Sequence, residues 1–187
     1  MSPEPEACKS RTEKARVFFA LWPPGEVAAY LAALASAHAA GSGGRATRRE
    51  TIHLTLAFIG DVPIERLPEL QGVASTVRGT AFELTLDRFG LWRHNGIIWA
   101  GPSVVPPALG ELASTLTGAL QNGGFSVADA GRTFTPHLTL VRKVKIPDPP
   151  LPVGRAPVWP CRRFLLVRSN LLASGAFYET LAEFHLS

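Results

Sequence analysis

Two near-identical segments contain the residues of this chain best suited to chemistry. Residues 51–56 read Thr-Ile-His-Leu-Thr-Leu and residues 135–140 read Thr-Pro-His-Leu-Thr-Leu, so both contain His-Leu-Thr-Leu. Alternate side chains of an extended strand share a face, so each copy presents an imidazole beside a hydroxyl and turns its leucines the other way. An imidazole transfers protons near neutral pH, and a hydroxyl can hydrogen-bond an anion. Two such pairs facing each other would form a site for acid–base chemistry on a phosphate.

The duplication favours a functional role over a structural one. A single histidine in an apolar strand usually serves packing, and either copy alone would be interpreted in that way. The chain has only five histidines, however, and His53 and His137 occupy the same place in the same tetrapeptide. His94 stands in His-Asn-Gly between two apolar runs, which is typical of a hairpin turn, so we assign it no catalytic role.

The two motifs resemble a known superfamily. A His-x-Thr motif in each half of a chain of this length resembles the two-histidine (2H) phosphoesterases, and within them the RNA 2′,3′-cyclic phosphodiesterases, also called 2′-5′ RNA ligases. Three flanking features agree: residues 16–21 resemble the first strand of that family, Arg142 matches an arginine frequent after the second motif, and residues 169–178 resemble the last hairpin. Thr51 departs from the pattern, because the family often has asparagine there.

The resemblance implies a fold and a division of labour among the site residues. The implied fold is α+β and bilobal, with two pseudo-symmetric lobes, each an antiparallel sheet with flanking helices, and an active-site cleft between them. His53 is implied as the general acid and His137 as the general base, although the residues alone leave these roles exchangeable. Thr55 and Thr139 would bind the substrate phosphate, and Arg142 would add a charge-assisted contact.

The implied activity is hydrolysis of RNA 2′,3′-cyclic phosphate ends to 2′-phosphomonoesters without metal or cofactor, with reverse 2′-5′ ligation as a weaker activity. The partner would be an RNA with such an end, tRNA fragments included. Two alternatives stay open. The substrate could be a small cyclic nucleotide or a 2′-5′ oligonucleotide, or the protein could be a non-catalytic binder of RNA ends. A pure binder has no need of two proton-transfer groups, which argues against the last alternative.

Composition limits the remaining possibilities. The chain has 187 residues, 46% of them hydrophobic and 18% charged, which is typical of a globular protein. We find no apolar run of the roughly 18 to 20 residues that a membrane span needs, and no secretory signal at the start. Cys8 and Cys161 are the only cysteines, too few for a zinc site made of thiolates. We therefore expect a cytoplasmic monomer that does not contact a membrane.

Positive charge gathers around the motifs. The formal net charge is +4. Three cationic clusters stand just before the first motif, just after the second, and before the last hairpin: Arg45, Arg48 and Arg49; Arg142, Lys143 and Lys145; and Arg155, Arg162 and Arg163. Such clusters suit an anionic substrate, although edge strands also use charges against aggregation. Phe18, Phe19, Phe58 and Tyr178 are candidates to stack on a base, although core packing is the more usual role of a phenylalanine, and we expect the four tryptophans to be core or interlobe residues.

Turn and cap signals divide the chain into a tail, residues 1–15, and a single domain, residues 16–187. Within the domain the pattern predicts the following elements: a strand from 17 to 22, a helix from 24 to about 40, a strand ending at 59, a helix from 63, a strand over 82–92 turning into 97–100, a helix from 106, a strand over 133–141, an irregular proline-rich connection over 147–160, and a hairpin of 163–172 with 178–185 turned at 174–175.

Overall fold

The computed structural model describes residues 13–128, 130–146, 156–172 and 175–187. Three α-helices and ten strands lie in these ranges. The helices are α1 (Gly25–Ser42), α2 (Leu67–Ser75) and α3 (Pro107–Asn122). The strands are β1 (Lys14–Leu21), β2 (Arg45–Ala46), β3 (Leu54–Pro63), β4 (Phe82–Thr85), β5 (Arg88–Trp92), β6 (Ile97–Gly101), β7 (Leu138–Arg142), β8 (Val158–Cys161), β9 (Arg163–Leu172) and β10 (Gly175–His185).

Eight strands form one antiparallel sheet in the order β10-β9-β1-β3-β7-β6-β5, with β2 paired to β7. β4 and β8 form a separate two-stranded ribbon. β3 and β7 join the two parts of the large sheet at a single residue pair, Leu54 with Leu138. The predicted α+β class with an antiparallel sheet is confirmed. The strands of both halves belong to one continuous sheet. The division into two pseudo-symmetric lobes stays a prediction.

The main hydrophobic core covers one face of this sheet. Leu54, Leu138 and Leu140 are fully buried there, and α1 packs against β7 while α3 packs against β3. The apolar face predicted for α3 is confirmed, because its four periodic leucines are all buried: Leu109, Leu112, Leu116 and Leu120. No helix in the described ranges is long and apolar enough to cross a membrane.

The opposite face of the sheet carries a smaller apolar cluster. Phe18, Ala20, Leu165 and Val167 form it, with Trp22, Phe58 and Tyr178 packed against it. Ala20 stands opposite Leu165 on one side and opposite Thr55 on the other. Because paired residues of an antiparallel sheet share a face, this is the face of Thr55. We call it the open face.

Several boundaries differ from the predicted ones. β1 begins at Lys14, three residues before the predicted start of that strand, and residues 1–12 of the tail lie outside the described residues. β3 runs to Pro63, although the strand was predicted to end at 59. Gly60, with a φ of 83°, lies where the register against β1 shifts, so this glycine bends the strand and does not end it. The predicted strand over 82–92 is two strands, because β4 pairs with β8 and β5 pairs with β6.

The second histidine strand is shorter than predicted. β7 begins at Leu138, and residues 133–137 form no strand; Pro136 has no N–H for a ladder bond. The prediction of an irregular connection is wrong at β8, whose Trp159 and Cys161 are buried while Val158 and Pro160 are exposed. Residues 147–155 of that connection, and residues 173–174 of the predicted hairpin turn, lie outside the described residues. The turn at Asn95-Gly96 is confirmed, with Gly96 at a φ of 61°.

Candidate active site

The sheet brings the two motifs together on its central strands. β3 and β7 are neighbours, which confirms that the motif strands are adjacent. The pair of Leu54 with Leu138 points to the core, so the residues on either side of each leucine point to the open face. Continuing the antiparallel register sets His53 toward Thr139 and Thr55 toward His137. By this extension of the register, we expect each histidine to stand across from the threonine of the other motif.

Both imidazoles are held by the same local hydrogen bond. His53 Nδ1 lies 2.8 Å from the carbonyl oxygen of Thr51, and His137 Nδ1 lies 2.9 Å from that of Thr135. A carbonyl oxygen only accepts, so Nδ1 carries the hydrogen in both rings. The remaining nitrogen, Nε2, is then the one that can exchange a proton with a ligand. Both motifs thus prepare the same atom for proton transfer.

Three aromatic rings surround His53. Trp22 stacks on it with centroids 5.1 Å apart and an angle of 12° between the planes. Phe18 lies at 4.9 Å and Tyr178 meets the ring edge-on at 5.3 Å. These contacts fix the plane of the imidazole and exclude water from much of its surface.

A tryptophan pair holds His137. Trp92 meets its ring at 4.4 Å and 69°, and Trp99 packs on Trp92 at 5.6 Å. Gly90 allows this arrangement, because a Cβ there would stand 2.2 Å from the ring of Trp99. We expect any side chain at position 90 to displace Trp99 and, through Trp92, His137.

The electrostatics of the site join both histidines to Arg142. Desolvation by burial, together with the positive charges of Arg142 and His137, lowers the pKa of His53 to about 4, against a partial opposing effect of the hydrogen bond to Thr51. Burial and Arg142 also lower the pKa of His137, again opposed by its backbone hydrogen bond. The influence of one imidazole on the other, and of Arg142 on both, places the three groups in one site.

Tyr178 extends this site toward the last hairpin. Burial raises the pKa of its hydroxyl, while Arg142 and Arg48 act in the opposite direction. Arg48 donates a hydrogen bond to the carbonyl oxygen of Ala176, two residues before Tyr178 along β10. The guanidinium of Arg48 therefore connects the segment before the first motif to the hairpin beside His53.

The three predicted phosphate-binding residues all lie on the two motif strands. Thr55 and Thr139 are half-buried on β3 and β7, and Arg142 is exposed at the end of β7. Arg49 donates instead to the carbonyl oxygen of Gly25 at 2.9 Å, which gives it a structural role, and Arg155 lies outside the described residues. In the part of the chain that the structure describes, no three His, Cys, Asp or Glu side chains stand close enough to hold a metal ion.

The contacts between aromatic side chains and the two histidines were not predicted from the sequence. Trp22 and Trp92 were expected to be core or interlobe residues, with no contact to the histidines predicted, and both contact a motif imidazole. Of the four stacking candidates, Phe18 and Tyr178 reach His53, whereas Phe19 is fully buried in the main core. The usable signal was position: Trp22 follows Phe18 and Ala20 at alternate places, so it shares their face if the strand continues.

The chain is similar in sequence and in structure to known phosphoesterases. A family profile described as LigT like Phosphoesterase matches residues 21–99. The chain is 35% identical over 143 residues to the RNA 2′,3′-cyclic phosphodiesterase of Escherichia coli K12, covering 74% of this chain and 80% of that protein. It is 31% identical over 180 residues to the enzyme of that name from Thermus thermophilus, covering 91% and 90%. The crystal structure of E. coli LigT complexed with 3′-AMP superimposes with a TM-score of 0.85 at 30% identity, over 94% of this chain and 99% of that one.

Proposed function

The chain belongs to the LigT-like phosphoesterase family, and from this premise we propose that it hydrolyses RNA ends carrying a 2′,3′-cyclic phosphate to 2′-phosphomonoesters. The observation that carries the proposal is the pair of imidazoles on adjacent strands, each with Nδ1 bonded to the carbonyl two residues earlier and Nε2 left for proton exchange. The relatives named RNA 2′,3′-cyclic phosphodiesterase support the choice of substrate.

The reaction needs one proton acceptor and one proton donor. One imidazole takes a proton from water as the water oxygen bonds to phosphorus, and the other gives a proton to the ribose 3′ oxygen as its bond to phosphorus breaks. The products are a 2′-phosphate and a free 3′ hydroxyl. Negative charge on the non-bridging oxygens would be stabilised by the hydroxyls of Thr55 and Thr139 and by the guanidinium of Arg142. Attack by the 5′ hydroxyl of a second RNA in place of water, with the ribose 3′ oxygen again leaving, would give 2′-5′ ligation through the same groups.

The acid and base roles are subject to two opposing considerations. The family resemblance assigns His53 as the acid and His137 as the base. The lower pKa of His53 favours the neutral ring there, which suits a base. A bound phosphate is negatively charged, so it raises the pKa of the imidazole that it contacts. The substitutions described in the Discussion distinguish the two assignments.

We expect the free protein to show an acid-shifted pH profile. The base must be neutral and the acid protonated, and the pKa values of both rings lie below the ordinary 6.5, with that of His53 at about 4. The value of kcat/KM should therefore rise through about pH 4 and begin to decline before pH 6.5, whichever ring takes which role. The profile of kcat should lie at higher pH, because bound phosphate stabilises imidazolium. Initial rates from about pH 3.5 to 9 check this, and an alkaline limb of kcat/KM above about pH 7 would contradict it.

We expect hydrolysis to survive chelation. In place of a metal ion, the guanidinium of Arg142 can supply positive charge to the phosphate and the two threonine hydroxyls can donate hydrogen bonds to it. An RNA oligonucleotide ending in a 2′,3′-cyclic phosphate is incubated with protein and EDTA, and the product is identified as the 2′-phosphate by mass and by chromatography against 2′-phosphate and 3′-phosphate standards. The rate should match that without EDTA. Loss of activity in EDTA, with recovery on adding Mn²⁺ or Zn²⁺, would require a different mechanism.

We extend this proposal to the kind of RNA, the oligomeric state of the protein and its location in the cell. Fragments of tRNA cut to leave cyclic phosphate ends are the substrates that we propose, acted on by a monomer in the cytoplasm. The positive side chains near the motifs support an RNA partner, because an extended polyanion would contact more of them than a mononucleotide does.

A further inference from the structure

A groove of about 580 Å³ lies next to the catalytic strands. Its wall includes Trp22, which follows β1, Leu165 of β9, and Glu183 of β10. Trp22 is also the residue that stacks on His53, with centroids 5.1 Å apart. The groove and the candidate active site are therefore neighbours that share one aromatic side chain.

The strand register places the groove on the same face as the motif residues. Thr55 stands opposite Ala20, Ala20 opposite Leu165, and Leu165 opposite Glu183, in one row across four strands. Paired residues share a face, and neighbouring strands are about 4.8 Å apart, so this row runs about 14 Å outward from Thr55. The groove thus continues the open face away from the histidines, toward the edge of the sheet.

The chemistry of the groove suits a nucleotide. Arg162, Arg163 and His185 line it, and the only acid among the described residues of its wall is Glu183, whose Oε2 lies 3.2 Å from Nη1 of Arg163. Proteins that bind single-stranded nucleic acid combine such cationic walls with aromatic side chains, here Trp22. The volume falls within the range of about 300 to 1,000 Å³ that small-ligand sites occupy.

We propose that this groove binds the nucleotide that precedes the terminal, cyclic-phosphate-bearing nucleotide of an RNA, with its phosphate beside Arg162 and Arg163. The inference rests on the function proposed above. The terminal nucleotide uses both its 2′ and 3′ oxygens in the cyclic phosphate, so the rest of the chain leaves through its 5′ oxygen. A cationic groove that adjoins the active site is where that chain continues. The protein then prefers oligonucleotides to mononucleotide cyclic phosphates.

The test compares two substrates on matched variants. Values of kcat/KM are measured for a mononucleotide and for a dinucleotide, each with a 2′,3′-cyclic phosphate. For the wild type we expect the dinucleotide to be the better substrate. Arg162→Gln should lower the ratio of dinucleotide to mononucleotide kcat/KM about tenfold, the effect of one lost hydrogen bond to a charged group. It should also reduce the slope of log kcat/KM against log salt for a longer oligonucleotide by about 1.

Two further variants complete the design. Thr180→Phe places a ring in the groove from the exposed face of β10 and should lower the ratio in the same direction. Arg78→Gln removes the same charge from the segment after α2, in the helical layer behind the sheet, and should leave the ratio at the wild-type value. Circular dichroism and thermal unfolding check that each variant is folded.

The outcomes separate the two proposals. A wild type that hydrolyses neither substrate contradicts the proposed function itself. A wild type that hydrolyses both equally well, with a ratio unmoved by Arg162→Gln and Thr180→Phe, overturns the groove and leaves the function standing. An equal fall of the ratio in Arg78→Gln also overturns the groove, because the effect would then belong to overall charge.

Discussion

His53→Ala and His137→Ala are each expected to lower kcat/KM on a 2′,3′-cyclic phosphate end by about 10² to 10⁴-fold, the usual contribution of a positioned acid or base. The double variant should be little worse than the worse single one, because the two proton transfers belong to one step. His94→Ala is the matched control. Its ring is exposed in the turn between β5 and β6, and its loss should leave the rate unchanged. Wild-type activity in either motif variant would remove that residue from the mechanism.

A change of leaving group distinguishes the acid from the base. The p-nitrophenolate released from a p-nitrophenyl phosphodiester leaves without needing a proton. The variant that lacks the acid should therefore keep much of the wild-type rate on such a substrate. The variant that lacks the base should remain slow on both substrates. Recovery in His53→Ala supports the roles implied by the family resemblance, and recovery in His137→Ala supports those favoured by the lower pKa of His53. Because His53→Ala empties a site among three aromatic rings, His53→Gln serves as a second variant where Ala unfolds the protein.

The features that the sequence predicts well are those that depend on neighbours along the chain. Strand alternation separates His53 and Thr55 from the leucines between and beyond them, and helical spacing identifies the buried face of α3. The near-copy of one tetrapeptide then selects the catalytic candidates. The family indicated by these motifs is confirmed by the comparisons.

The features that the sequence does not predict depend on partners far away along the chain. Alternation indicates which face Trp22 shares, but only the register between β1 and β3 brings it to His53. Trp92 likewise reaches His137 because β5, β6 and β7 stand side by side. Strand β8 was not predicted because it is only four residues long and contains Pro160. A proline would interrupt a central strand, but it is tolerated in the two-stranded ribbon that β8 forms with β4.

The threonine hydroxyls provide the second large expected effect. Thr55→Val and Thr139→Val keep the shape and the β-branch of the side chain and remove only the O–H. If these hydroxyls donate to the non-bridging oxygens as charge develops there, each variant should lose about 10²-fold in kcat and equally in kcat/KM. A smaller effect on kcat with a raised KM would mean that the hydroxyl binds ground state and transition state alike.

The controls for this experiment are present in the chain. Thr55→Ser and Thr139→Ser retain the hydroxyl and should restore most of the activity. Thr47→Val is the matched control, because Thr47 Oγ1 is buried and has no hydrogen-bond partner among the described residues. Thr47 stands beside β7, with its N–H donating to the carbonyl oxygen of Leu140 at 2.8 Å, so the substitution tests the same chemical change close to the site. It should leave kcat unchanged and the fold at least as stable, since an unsatisfied buried hydroxyl is costly. Wild-type kcat in both Thr55→Val and Thr139→Val would show that phosphate stabilisation rests on Arg142 and on groups outside the two motifs.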